Sequence, residues 1–405
     1  MATNKLDYNS PLLRKRWVKD RLLQDAHKSF WRRFTGTTSD SVVYQERNTN
    51  ASTGHTVVFD YSGKLTGKAY RGDDYTYGRG ETKRRFSNQI TVEEFSLYVD
   101  NGSKFDAVAF GDLNSAQHQD SIRKLSDLFQ RHKDQALFDV AQGAVGTPPT
   151  HILNLGNTFT YNDLLRIESA AKKGEDLVVP DAQGVVSNQG AVKRAPLEGW
   201  STQDGEPIYI AIIDEYMATA LKRDPNYQTI VVGADVRGQR NRALDMAIGR
   251  LGNVVYIEAP VFFGYTEGAG TFTLFDTEPQ FSGLRRYARD DDGRLYWEGQ
   301  TGYDLVVAKL KQDLATGTTT NYDNGCRIYS RGLLLGAGAL QSAWGKDPDY
   351  VLEWGAFKKT SQSMLDYWAN FQKTILTVEN GTDYAGKVAN IDYGVIALDL
   401  EHTYL

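Results

Sequence analysis

Val378-Glu-Asn-Gly-Thr-Asp-Tyr-Ala-Gly-Lys-Val-Ala-Asn-Ile-Asp-Tyr-Gly-Val-Ile-Ala-Leu-Asp-Leu-Glu-His402 is the stretch on which the fold turns. Asn380-Gly381 reads as a turn, and Gly381, Gly386 and Gly394 punctuate the β-rich run that follows. After Gly394, Val395, Ala397 and Asp399 alternate with Ile396, Leu398 and Leu400. The expectation is a packed strand that belongs to the core rather than a trailing tail.

Working outward, 405 residues are enough for two or three domains, and 40% hydrophobic with 12% aromatic residues supply a sizeable core. The net charge of −5 argues against a generic nucleic-acid binder. Cys326 is the sole cysteine, so neither an internal disulfide nor a multi-cysteine zinc site is expected, as suits a reducing cytosol. No apolar run approaches 18 residues and the first residues lack an apolar signal core, so neither a membrane span nor a signal peptide is expected. The sequons at Asn50 and Asn380 then read as chance.

The charge is uneven. Lys5, Arg14, Lys15, Arg16, Lys19, Arg21, Lys28, Arg32 and Arg33 face only Asp7, Asp20 and Asp25, so residues 1–35 carry +6 and the remainder −11. Trp17, Leu23, Ala26, Phe30, Trp31 and Phe34 interleave with these cations, and Leu23, Ala26, Phe30 and Phe34 share one helical face. Such a segment suits a membrane surface, nucleic acid, a neighbouring subunit, or plain docking on its own core.

Residues 40–100 read as β, opening at Val57-Val-Phe59 and closing through Ile90, Val92, Phe95, Leu97 and Val99. Between lies a polar, glycine-broken excursion with Arg71, Asp73, Asp74, Arg79, Lys83, Arg84 and Arg85, too long for a tight hairpin. Two strands are marginal alone in water, so this excursion is expected to rest on something else. Residues 115–142 read as a long helix, capped by Ser115, stopped by Gly143, with Ile122, Leu125, Phe129, His132, Ala136 and Val140 as its buried stripe. From 150 to 261 the pattern is α/β. Thr160-Tyr-Asn-Asp163 resembles a capping box for a helix bearing Leu164, Leu165, Ile167 and Ala171 and ending at Gly174. Strands are expected at 208–213, 229–232 and 254–261, with helices near 214–223 and 239–249. Asp291-Asp-Gly293 signals a type I′ hairpin.

A search for chemistry finds no P-loop, no nucleophile elbow and no His-Glu-x-x-His. Gly336-Ala-Gly338 lacks the third glycine of a dinucleotide fingerprint and reads as small-residue packing. The six histidines show no metal-ligand spacing, and His132 reads as a satisfied core histidine. Asp290-Asp-Asp-Gly begins like a calcium loop but Arg294 falls where an oxygen ligand is needed. Cys326 reads as a small buried hydrophobe. No catalytic residue, metal ligand or cofactor site is expected.

Four tracts, in order, resemble the major capsid proteins of N-four-like tailed podophages (Schitoviridae): Leu12-Leu-Arg-Lys-Arg-Trp-Val18 with Phe30-Trp-Arg-Arg-Phe-Thr-Gly36 and Thr56–Gly67; Ile90-Thr-Val-Glu-Glu-Phe95 with the long helix; Ile230-Val-Val-Gly-Ala234 with the strand at 254–261; and Gly332-Leu-Leu-Leu-Gly-Ala-Gly-Ala-Leu-Gln341 with the closing Asp392-Tyr-Gly-Val-Ile-Ala397. The resemblance implies an α+β Hong Kong 97-type capsid fold: an N-terminal arm at 1–50, an extended β loop at 51–114, the spine helix of a peripheral domain at 115–150, an α/β axial domain with an aromatic, glycine-rich insertion at 151–330, and a return to both sheets at 331–405. It also implies an inter-subunit role for the arm residues Arg14, Arg16, Trp17, Arg32 and Arg33 and for the loop-tip residues Arg71, Asp73, Asp74, Arg79, Lys83, Arg84 and Arg85. The loop would then lie on a neighbouring copy.

The leading expectation is thus a structural major capsid protein, building pentamers and hexamers of an icosahedral head around double-stranded DNA. Its partners would be further copies of itself, portal, scaffolding and decoration proteins, with DNA merely nearby and no membrane. Assembly would take place in the host cytoplasm and the product would be the virion. Two other readings stand beside it: a glycan-acting enzyme using paired carboxylates, and a membrane- or nucleic-acid-binding module led by the basic helix.

Overall fold

The computed structural model describes residues 29–38, 40–47, 55–62, 65, 80, 85–103, 116–173, 176–177, 192–193, 197–201, 207–228, 247–260, 263–268, 271–277, 283–290, 292–316, 326–355, 360–378 and 389–402. In chain order, strands β1 (Thr35–Gly36), β2 (Val43–Arg47), β3 (Thr56–Ser62), β4 (Arg85–Thr91) and β5 (Glu93–Ser103) precede helix α1 (Ala116–Gln142). Then come β6 (Ile152–Asn154), α2 (Tyr161–Lys173), β7 (Asp176–Leu177), β8 (Val192–Lys193), β9 (Trp200–Ser201), β10 (Pro207–Ile213) and α3 (Glu215–Arg223). Strands β11 (Ala247–Leu251), β12 (Val254–Glu258), β13 (Phe263–Gly268), β14 (Thr271–Thr277), β15 (Arg286–Arg289) and β16 (Leu295–Trp297) lead to α4 (Thr301–Thr316). The chain closes through β17 (Arg327–Leu335), β18 (Leu340–Trp354), β19 (Thr360–Lys373), β20 (Ile375–Val378), β21 (Ala389–Asp392) and β22 (Val395–Glu401). The architecture is mixed α+β. Contacts group it into two units, one containing 94–131 and 348–367, the other 30–93, 132–347 and 368–402, so α1, β18 and β19 each run through both.

In the first unit, the amino-terminal half of α1 lies on β5 and the outer parts of β18 and β19. A buried asparagine fixes this packing: Asn101 donates to Ser363 Oγ (2.7 Å) and accepts from Ser121 Oγ (2.5 Å). Phe95 stacks on Tyr367 with centroids 5.5 Å apart, and Phe129 meets the same ring edge-on at 4.8 Å.

In the second unit, β22 is the core strand that its alternation promised. It pairs antiparallel with β17 from Tyr329↔Glu401 to Leu335↔Val395, and parallel with β6 on its other edge. On the far edge of β17 lie β10 and β15, within a nine-stranded sheet ordered β11-β12-β10-β17-β15-β16 with β6, β9 and β22 attached. Ile396, Leu398 and Leu400 pack with Leu164 and Ile167 of α2 and Met217 and Leu221 of α3. Each such fully buried side chain stabilises the fold by about 1.5–3 kcal/mol. The opposite face of β22 carries Asp399, which is also buried. Small residues are required where strands approach: a Cβ on Gly336 would lie 2.6 Å from the Glu198 carbonyl oxygen.

The long helix spans Ala116–Gln142 and ends as expected, in a Schellman motif. Gly143 takes φ +76°, its N–H donates to the Val140 carbonyl (3.1 Å), and Ala144 N–H donates to that of Asp139 (2.8 Å). Ser115 lies outside the described residues. The buried stripe differs from expectation. Ile122 is 43% exposed and His132, Ala136 and Val140 are half-buried, while Leu125, Phe129, Leu137, Phe138 and Ala141 are buried beside Asp134, Gln135, Asp139 and Gln142. Hydrogen-bonded polar side chains turn the inward face away from the purely apolar one.

The capping box at the start of α2 forms, with Thr160 N–H donating to Asp163 Oδ2 at 2.9 Å. Leu165 is 44% exposed and Ala170 takes its place in the core. The helix expected at 239–249 fails over its described part, because Ala247–Leu251 is β11. Leu251 pairs with Val254 across a two-residue Gly252-Asn253 turn with Gly252 at φ +55°, and the turn chemistry overrides the helical spacing. The 286–297 hairpin forms, but its pairing stops at Arg289↔Leu295, so the connection is longer than a type I′ turn. Gly293 at φ +85° donates to the Asp290 carbonyl, and Asp290 Oδ1 accepts from Arg294 N–H, so the aspartate serves the turn. The strand expected at 229–232, the Asn380-Gly381 turn and Gly174 lie outside the described residues.

Candidate assembly interface

The arm root is built on α1. Phe30 and Trp31 enter a 3-10 turn, Trp31–Arg33, whose alternation puts Trp31 and Phe34 inside and Arg32 and Arg33 outside. Trp31 is fully buried, 4.9 Å from the Phe138 ring and flanked by Phe30 and Phe34. Asp134 accepts from Phe30 N–H (2.5 Å), and its carbonyl accepts from Trp31 Nε1 (3.3 Å). A buried carboxylate is satisfied here by the backbone of the incoming arm, which locks residues 30–34 into the subunit's own core.

The extended-loop root is similarly held. β3 and β4 pair from Thr56↔Thr91 to Ser62↔Arg85. One face presents Phe59 and Ile90 to Ala343 of β18, with Tyr44, Tyr61 and Val92 around them. Asn88 Nδ2 donates to Gln341 Oε1 (3.0 Å), and Gln341 Nε2 donates to the Tyr61 hydroxyl (2.6 Å). The opposite face is open, with Val58 57% exposed. The two root strands thus find support within the chain, and the excursion beyond them, for which the resemblance implied a neighbouring copy, lies outside the described residues apart from Leu65 and Gly80.

Polar residues of α1 also tie the helix to β17 and to the segment leading into β15. Gln135 exchanges hydrogen bonds with the Gly283 backbone, and Gln142 with that of Arg285 while also donating to the Arg331 carbonyl. Asp139 takes a two-pronged ion pair from Arg285 at 2.6 and 3.1 Å. Arg331 and Asp399 face each other across β17 and β22, paired through two 2.7 Å contacts, with the Tyr287 hydroxyl donating to Asp399 at 2.8 Å. The Arg331 guanidinium also lies 4.5 Å from the Tyr287 ring centroid. Burial opposes its charge, Asp399 more than offsets that, and its pKa rises. Burial, then Asp399, push the Tyr287 hydroxyl well up.

Asp214, Ser330 and His402 are three residue types of a hydrolase brought together, a grouping the sequence search missed because they lie on three separate tracts. The geometry is not that of a triad. The single Ser330 hydroxyl proton goes to Asp214 Oδ2 (2.8 Å), so His402 Nε2, 2.6 Å from Ser330 Oγ, is a donor to the serine and not its base. Ser330 is fully buried. Among the described residues no cluster of His, Cys, Asp and Glu could hold a metal ion, and no helix is long and apolar enough to cross a membrane. Cys326 is buried beside Ile328 and Leu310.

Of the expected interface residues, Arg32 and Arg33 are exposed at the arm root, and Arg85 lies on β4 opposite Ser62. Arg14, Arg16, Trp17, Arg71, Asp73, Asp74, Arg79, Lys83 and Arg84 lie outside the described residues. The anchors Trp31, Asp134 and Asn88 were not singled out by sequence as fastening points, because their hydrogen-bond partners lie 103 to 285 residues away in the chain.

The long helix and the two excursion roots anchored on the core belong to a fold that has known counterparts. It is similar over its full length to the capsid protein of Ralstonia phage GP4 (16% identity, TM-score 0.65, covering 100% of this chain and 99% of that one). It is equally similar to the acid-stable capsid of Helicobacter pylori bacteriophage KHP30 (16%, 0.65, 98% and 99%) and also to the capsid of cyanophage Pam1 (14%, 0.58, 99% and 99%). No curated protein sequence matches. The family profile described as phage capsid protein matches residues 2–400, and the chain belongs to that family. It is a major capsid protein of the phage head shell, a virion component and not an enzyme.

Proposed function

We propose that this chain is a Hong Kong 97-type major capsid subunit of the N-four-like podophage kind, which forms the pentamers and hexamers of an icosahedral head around double-stranded DNA. One observation carries the reading: two basic segments, 1–28 and 63–84, continue from roots that are themselves locked into the subunit's core. Each root fixes where its cationic segment leaves the core. Rings need heterologous contacts, one surface meeting a different surface of the next copy, and arm and loop tip supply them. In this reading 1–50 is the arm, 51–114 the extended loop, 115–150 the spine, 151–330 the axial domain and 331–405 the return. The −11 remainder suits an inner face that does not grip DNA. Portal, scaffolding and decoration proteins would be its partners, with assembly in the host cytoplasm and no membrane. Electron microscopy of the chain expressed with its portal and scaffolding partners tests this. Closed shells or capsomers are expected, and a strictly monomeric species at high concentration overturns it.

A further inference from the structure

The hairpin of β20 and β21 brings one lysine and one aspartate together at its base, where Ile375 pairs with Asp392. Lys373 Nζ lies 3.0 Å from Asp392 Oδ2, and each side chain is only 1% exposed. Thr150 clamps the carboxyl residue twice: its N–H donates to the same Oδ2 (2.9 Å), and its Oγ1 accepts from Asp392 N–H (2.9 Å). The other oxygen, Oδ1, is buried and accepts no hydrogen bond. A carboxylate with one bare oxygen away from water is poorly stabilised as an ion. We propose that Lys373 and Asp392 join within the chain by an amide bond between Nζ and Cγ, releasing one water.

The steps balance without oxidant, reductant or co-reactant. A proton passes from the ammonium to Oδ2, its contact at 3.0 Å, leaving a neutral amine beside a neutral carboxylic acid. Burial favours this transfer, since it lowers the Lys373 pKa against the pull of Asp392. The Nζ lone pair then attacks Cγ, and the developing charge falls on Oδ1, which takes a second proton from Nζ. The Cγ–Oδ1 bond breaks, Oδ1 leaves as water with the proton of Oδ2, and Oδ2 remains as the carbonyl oxygen facing the Thr150 N–H. Condensation of a free amine and acid in water is unfavourable, but reactants held in contact reach effective molarities of about 10⁵–10⁸ M. In the product Oδ2 keeps its Thr150 hydrogen bond as an amide carbonyl, and the bare oxygen is gone. The bond closes residues 374–391 into a covalent loop and lies within one chain, so its fate and that of the shell reading are separate.

Intact-mass spectrometry of the full soluble chain decides it, followed by fragmentation of its proteolytic peptides. The expected mass is one water below that of the sequence, with a branched peptide joining Lys373 to Asp392, and Lys373→Arg restores the full mass. These masses are read on denatured chain, so a poorly folded variant does not obscure the wild-type result. Succinimide formation at Asp204-Gly205 or Asp292-Gly293 also loses one water, so a deficit that persists in Lys373→Arg, or that comes without the branched peptide, overturns the proposal. A wild-type chain at its full mass overturns it outright.

Discussion

At the scale of single residues, buried charge is handled in two ways. Arg331 and Asp399 pair through two contacts, with Gln142 and Tyr287 as further partners, and removing one charge leaves the other buried without its counter-charge. Arg331→Met is expected to cost about 3–5 kcal/mol in chemical denaturation, and adding Asp399→Leu to recover part of that. His402 is instead buried neutral. It stacks on Tyr216 at 3.9 Å, donates to Ser330, and faces Arg286 and Asp214. Burial first, then Arg286, lower its pKa from 6.5 to about 4 against the pull of Asp214. The unfolded chain therefore takes up this proton more readily than the native one. The stability that neutral His402 brings is present above pH 6.5 and declines as the pH falls toward 4. Urea midpoints measured across that window should fall less for His402→Gln than for wild type; parallel curves would mean that other groups carry the acid sensitivity. The sequence made Cys326 a buried residue correctly, yet gave no sign of the Arg331 or His402 partnerships, since each pairs across strands distant in the chain.

Among elements, the long helix was the most legible. Its extent and its glycine stop could be read locally, because a helix is made from contacts three and four residues apart. Its inward face could not, because Asp134, Gln135, Asp139 and Gln142 are drawn inside by Phe30, Gly283, Arg285 and Arg331. The stop itself is testable. Gly143 and Gly146 both have positive φ, +76° and +81°, but a Cβ at 143 would lie 2.6 Å from Pro149 Cδ while at 146 it meets nothing within 4 Å. Gly146→Ala should cost about 1 kcal/mol of backbone strain, and Gly143→Ala clearly more, as read from thermal or urea unfolding. Equal losses would mean that the Pro148-Pro149 turn yields. β11 shows the opposite failure: helical spacing suggested a helix where the structure pairs two strands across a Gly252-Asn253 turn.

For the whole molecule, the arm and loop are expected to act between copies, and their roots set where folding ends and assembly begins. Removing residues 1–28 should leave a subunit with native circular dichroism that forms few shells in sedimentation. Removing 1–35 should also lower its stability by about 3–5 kcal/mol, because Trp31 and its aromatic neighbours leave the core. Two truncations of equal stability would place Trp31 outside the energetic core. Reversing Arg84 and Arg85 to Glu should reduce shell yield with little effect on subunit unfolding, since like charges forced together at an interface cost several kcal/mol, roughly, at each contact. Normal yield would show that the loop tip touches no neighbour. The sequence by itself determined the long helix with its stop, the closing core strand, the uneven charge and the lack of a catalytic motif, for these follow from local periodicity, turn chemistry and composition. Only the tertiary structure decided that β22 is held between β17 and β6, that residues 30–34 are anchored in the core, and that the loop root rests on its own chain. Those outcomes depend on which distant surfaces fit and which buried polar groups find partners, and that information is not local to any stretch of the chain.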